Sequence, residues 1–160
     1  MHKLDRTFAL LAAVGALSSL WGLFLWRELL RARAGAEAFC GFGGSDCAEL
    51  WDGAFAAAIH AYSGVPVAAW GVVWGAVATI LPLLALSEAA DKGRGAAAGA
   101  LRSAVRATAL AGVAGVAVLL LASAAEGGFC QSCALSYILS AIYAALTWRR
   151  LGFLPEVRGA

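Results

Sequence analysis

Charge is scarce in this sequence. Its 160 residues include 12 Lys and Arg and 10 Asp and Glu, or 14%, where an ordinary soluble domain carries roughly 25%. A water-facing surface cannot be covered with so few. A net charge of +2 also leaves no basic face of the kind nucleic-acid binding needs, so no nucleic-acid partner is expected. Four cysteines are far below the density of a small disulfide scaffold. Two histidines, His2 and His60, read as a solvated terminus and an interfacial residue rather than as ligands or bases. The low hydrophobicity that marks disorder is missing too, since 62% of residues are hydrophobic and the mean hydropathy is +0.79. Lipid is the solvent this composition suits.

The uncharged runs set the class. Thr7 to Trp26 is a stretch of 20 residues, Gly53 to Ser87 one of 35, Ala107 to Ala125 one of 19 and Gly127 to Trp148 one of 22. A hydrocarbon core about 30 Å thick needs about 20 helical residues. The longest run is divided by His60, Tyr62, Ser63, Gly64 and Pro66. In lipid, backbone N–H and C=O groups must pair within their own segment, which a helix achieves. The expectation is an all-α integral membrane protein, a single domain over 1–160. It is a four-transmembrane-helix bundle with spans near 7–26, 64–86, 104–125 and 129–148. Trp21, Trp26, Trp70, Trp74 and Trp148 read as belt and packing residues, and Gly112 and Gly115 as sites of close helix packing.

Basic residues give the orientation. Nine of the 12 lie at the amino end (Lys3, Arg6), around the middle loop (Lys92, Arg94, Arg102, Arg106) or in the tail (Arg149, Arg150, Arg158). The remaining faces hold Arg27, Arg31 and Arg33 against Glu28, Glu37, Asp46, Glu49, Asp52 and Glu126. The positive-inside rule then puts both termini and loop 87–103 in the cytoplasm.

All four cysteines fall on the other, oxidising face: Cys40 and Cys47 in FCGFGGSDC, Cys130 and Cys133 in FCQSC at the start of the last helix. Outside the cytoplasm such thiols persist as disulfides unless exchange turns them over. Where Cys-x-x-Cys opens a helix, the first sulfur lies near unpaired N–H groups and the positive end of the macrodipole, which stabilises a thiolate. Cys130 is expected to face solvent and Cys133, one turn deeper, the bundle. Asp46 with Glu49 resembles a capping box, and Trp51, Phe55, Ala58, Ile59 and Tyr62 share one helical face. Residues 48–62 are therefore read as an interfacial helix in the first outer loop. A zinc site is disfavoured, because six residues between Cys40 and Cys47 do not suit thiolate spacing. Four cysteines still allow three pairings, and two structural staples remain an alternative to exchange chemistry.

An outer-loop cysteine pair, then GVPVAAWG opening the second span, then Cys-x-x-Cys opening the last, together resemble the vitamin K epoxide reductase family over roughly residues 7–150. The resemblance implies a disulfide-generating membrane enzyme whose cysteines lie on the periplasmic side of the bacterial inner (cytoplasmic) membrane. It implies a separate periplasmic thioredoxin-like, DsbA-like partner protein. Carried over to this sequence, Cys40 exchanges with the reduced partner, Cys47 attacks Cys130, and Cys133 delivers electrons to a quinone, ubiquinone or menaquinone. Tyr137, in CALSY, matches a tyrosine that helps to hold the quinone. Where the family has a Ser or Thr five or six residues after the second loop cysteine, this sequence has Asp52 and Gly53. GVPVAAWG carries no counterpart of an asparagine that orients the quinone in animal members. The alternatives are reduction of a quinone or its epoxide with thiols as donor, and a non-catalytic bundle or transporter subunit stapled by disulfides.

Overall fold

The computed structural model describes residues 3–37, 39, 50–90 and 95–151. They form five helices: α1 (Lys3–Arg33), α2 (Ala54–Ser63), α3 (Val67–Ala90), α4 (Gly95–Ala125) and α5 (Gln131–Leu151). Among the described residues there is no strand. Among the described residues, three stretches are long and apolar enough to cross a membrane, Leu4–Arg33, Val67–Glu88 and Ala97–Ala125. α5 has 21 residues but is more polar, because Ser132, Ser140, Tyr143 and Thr147 lie on its buried side. Its length alone suits a core of about 30 Å.

The helices outrun the expected spans. α1 starts at Lys3 rather than residue 7 and ends at Arg33 rather than residue 26. Beyond the hydrocarbon, charged residues no longer oppose the helix, and these are placed to suit it. Asp5 sits in the first turn and Arg31 and Arg33 in the last, each complementing the macrodipole.

α1 packs most extensively along α3 and also against α5, and α4 closes a ring between α3 and α5. The closest approach is backbone on backbone: a methyl group at Gly15 would stand 2.6 Å from the Ala78 carbonyl carbon, and one at Gly75 2.7 Å from Ser19 Cα. Small residues let membrane helices meet this way. The expectation for Gly112 holds, since a Cβ there would meet the Trp74 ring at 2.6 Å, but Gly115 faces open space. Hydrogen bonds stitch the ring. Ser19 Oγ donates to Val72 O (3.2 Å), Trp74 Nε1 to Thr108 O (3.0 Å) and Trp21 Nε1 to Ser132 O (3.0 Å).

The fully packed core lies at one end, where Phe8 and Leu11 of α1 meet Ala85 of α3, Val105 and Ala109 of α4 and Tyr143 of α5. That grouping joins the early part of α1 and α4 to the late part of α3 and α5, so neighbouring helices alternate in direction. The opposite end gathers late α1, early α3, late α4 and early α5, and α2 lies over it.

The expected helix over 48–62 is divided. Leu50 and Trp51 are helical, the chain turns at Asp52 and Gly53, and α2 begins at Ala54. Gly53 is extended and makes no side-chain cap. Instead the Glu126 carboxylate, on the turn between α4 and α5, presses against Gly53 and accepts the Phe55 N–H at 3.0 Å. Gly64 ends α2 with φ 69°, a left-handed conformation glycine adopts freely. The proposed capping box at Asp46 and Glu49 lies outside the described residues.

Candidate redox site

α4 ends in a tight turn, with Gly127 at φ 70° and the Gly128 N–H returning to Ser123 O at 3.1 Å. The chain then reverses into Cys130, which caps α5. The Cys130 carbonyl accepts the N–H groups of Cys133 (3.1 Å) and Ala134 (3.2 Å). Its Sγ accepts the Cys133 N–H at 3.2 Å. The Cys133 N–H in the first turn of α5 thus points at the sulfur, where it and the positive end of the helix favour negative charge. Cys130 and Cys133 are joined as a disulfide, with Cα atoms 5.2 Å apart.

Cys130 reverses the expectation that it faces solvent, whereas Cys133 lines the cavity within the bundle. Cys130 is only 2% exposed, while Cys133 is half-buried. The cause is the segment just before α2: Leu50 and Trp51 pack on Cys130, and Leu50 also covers Gly128. Cys40 and Cys47, the other two cysteines assigned from the sequence, lie outside the described residues. Phe39, the neighbour of Cys40, is described.

Beneath α2 is a cavity of about 570 Å³ that reaches both Cys130 and Cys133. Phe55 and Ile59 roof it, Trp70 and Trp74 of α3 wall one side and Leu119 of α4 another. Trp51, Phe55, Ile59 and Tyr62 all line it, although the break at Asp52 and Gly53 takes Trp51 off α2 and Tyr62 is 95% exposed. The buried alanine of α2 is Ala56, however, with the expected Ala58 exposed. Polar groups are few, and Ser123, Glu126, Ser136 and Tyr137 are among them. Tyr137, one turn beyond Cys133, lines the cavity, and its phenol interacts with the Ser123 side chain. Glu126 stands at the same end. Such a space suits a planar, mostly apolar ring with a polar edge, since small-ligand sites run to about 300–1,000 Å³ with few placed polar groups. Among the described residues no three His, Cys, Asp or Glu side chains come together as a metal site would require.

The residues that depart from the family pattern have partners of their own. Asp52 accepts from Arg33 at the end of α1, at 2.6 Å from Nη2 and 3.1 Å from Nε, and Gly53 leaves room for Glu126. Both sides of the Arg33–Asp52 pair are solvent-exposed, so it fixes geometry more than it adds stability, at about 0–1 kcal/mol. Ser123 and Glu126 carry no local signal in the sequence. They acquire their positions through contacts across the fold, that of Glu126 with a residue 71 positions away.

No curated protein and no solved structure matches this chain. The sequence model of the vitamin K epoxide reductase family matches residues 6–148. That match runs from the first turn of α1 almost to the end of α5 and takes in the disulfide, the cavity and Tyr137; the chain belongs to the vitamin K epoxide reductase family.

Proposed function

We propose that this member of an oxidoreductase family is a quinone-dependent thiol–disulfide oxidoreductase that oxidises a separate, periplasmic thioredoxin-like protein. The observation that carries the reading is the Cys130–Cys133 disulfide opening on an apolar cavity of about 570 Å³, with Tyr137 on the same wall. A quinone, ubiquinone or menaquinone, supplies a two-electron acceptor soluble in lipid.

The chain's own residues divide the work. Cys40 and Cys47 exchange with the partner, whose two thiols become a disulfide as the loop pair becomes a dithiol. The Cys47 thiolate attacks Cys130, which forms a Cys47–Cys130 bond and releases Cys133 as thiolate. Cys40 then attacks Cys47, closing the loop disulfide and freeing Cys130. Cys130 and Cys133 give up two electrons and two protons to the acceptor and return to their disulfide. The α5 N-terminus stabilises sulfur as thiolate at each stage. Tyr137 offers its phenol where negative charge develops, and α2 keeps water from the cavity. Each 30 mV between the donor dithiol and the acceptor drives the cycle by about 1.4 kcal/mol.

On this reading α5 is the fourth span, residues 1–160 form one domain, and α2 lies in the membrane interface. The termini and residues 87–103, read from the sequence as a loop but helical over 87–90 and 95–103, are cytoplasmic, and the cysteines face the periplasm of a bacterial cytoplasmic membrane. The test is Cys133→Ala. It abolishes quinone reduction by a reduced thioredoxin-like protein and traps a Cys47–Cys130 disulfide, which peptide mapping detects. Undiminished quinone reduction by that variant overturns the proposal. Cys40→Ala retains turnover with dithiothreitol while losing turnover with the protein thiol.

A further inference from the structure

We propose that Glu28 is a positioning residue, which docks the chain entering Cys40 beside the Cys130–Cys133 pair. This inference rests on the relay described above.

Glu28 lies in the last turns of α1 and is 1% exposed. A carboxylate buried at the end of an apolar helix is costly unless every oxygen is engaged. Arg31, one turn on, donates to Oε1 at 3.1 Å and to Oε2 at 3.4 Å. That pair by itself would be served as well at the surface, where the Arg31 side chain already reaches. What holds the carboxylate inside is the backbone N–H of Phe39, which donates to Oε2 at 3.0 Å. The Phe39 carbonyl is held as well, by the Ser132 hydroxyl at 3.3 Å, and Ser132 lies between the two cysteines of α5.

Both backbone polar groups of one residue are therefore fixed, one by α1 and the other by the redox motif. The aromatic contacts close a circuit around them. The Phe39 ring stands edge-on to Phe24 with centroids 5.9 Å apart, Phe24 stacks on Trp21 at 4.9 Å, and Trp21 donates to the Ser132 carbonyl. The peptide bond carries this anchor directly into Cys40. An exchange between two cysteine pairs depends on how often the sulfurs meet in the right geometry, so a fixed end raises the rate of the protein relay. A small thiol that reaches Cys130–Cys133 without the loop gains nothing from it.

The experiment uses the full chain in phospholipid nanodiscs, with a reduced thioredoxin-like protein or dithiothreitol as donor and quinone reduction as readout. Amide hydrogen exchange at residue 39 is measured alongside. Glu28→Leu is expected to release amide 39 and to slow protein-driven turnover about tenfold, while dithiothreitol-driven turnover changes by less than about twofold. Glu28→Gln, which keeps an acceptor oxygen, retains most of both. Equal losses with the two donors, or protein-driven turnover near the parent value in Glu28→Leu, would overturn the proposal. So would an amide 39 that exchanges freely in the unaltered chain, a result independent of how any variant folds. An unaltered chain that accepts electrons from dithiothreitol but not from the protein thiol overturns the relay itself, and with it the role of Glu28, even with amide 39 protected.

Discussion

At Gly15 the smallest possible side chain is already too large. A methyl group there meets three backbone atoms of Ala78 and Thr79 at 2.6–2.7 Å, and backbone in the middle of a packed helix pair does not yield. Gly15→Ala is expected to cost about 1–3 kcal/mol and lower the unfolding midpoint in detergent, whereas Gly115→Ala, facing open space, stays within about 0.5 kcal/mol. The sequence marks all these positions alike as small residues in apolar runs. Only the packing separates the glycine that touches a backbone from the one that touches nothing. Tyr137 is the opposite case, singled out by the family resemblance and found lining the cavity. Loss of one hydroxyl donor is worth about 1 kcal/mol. Tyr137→Phe should therefore raise the KM for quinone several-fold in steady-state kinetics with α5 still folded, and an unchanged KM would remove Tyr137 from the proposed site.

Helix α2 shows what governs an element. Its cavity-facing side reads directly from Phe55 and Ile59, because helical periodicity is local. Its start does not, because the group that caps it comes from Glu126 on another turn. Removing a capping acceptor costs about 1 kcal/mol. Glu126→Ala is expected to speed amide exchange over residues 54–57 while leaving α3 and α4 protected, as mass spectrometry can resolve. Unchanged protection there would mean that Leu50 and Trp51 alone hold the roof. The Cys-x-x-Cys helix start reads from spacing too, and Cys130 takes the capping position that spacing implies. Its burial does not, since Leu50 and Trp51 arrive from a segment some 80 residues earlier in the chain.

Among the described residues, α1, α3, α4 and α5 form a ring with a tight core at one end and a cavity at the other. In lipid no general hydrophobic force draws the helices together, so small residues and interhelical hydrogen bonds set their arrangement. The basic residues predict how that ring stands in the bilayer. In a chain with its own cysteines replaced by alanine, Phe129→Cys should react from outside with a membrane-impermeant maleimide, and Lys92→Cys only after permeabilisation. The reverse pattern would invert the orientation and put the disulfide on the wrong side for the proposed chemistry. The sequence by itself determined that this chain is helical and apolar enough for a membrane, where its runs break, and which residue pair opens the last helix. Each of these depends on length, periodicity or spacing along one segment. Tertiary structure alone decided that Cys130 is covered, that a cavity opens beside the disulfide, that Glu126 caps α2 and that Glu28 and Ser132 grip Phe39. Those are contacts between residues far apart in the chain, and their energies arise only when the helices meet.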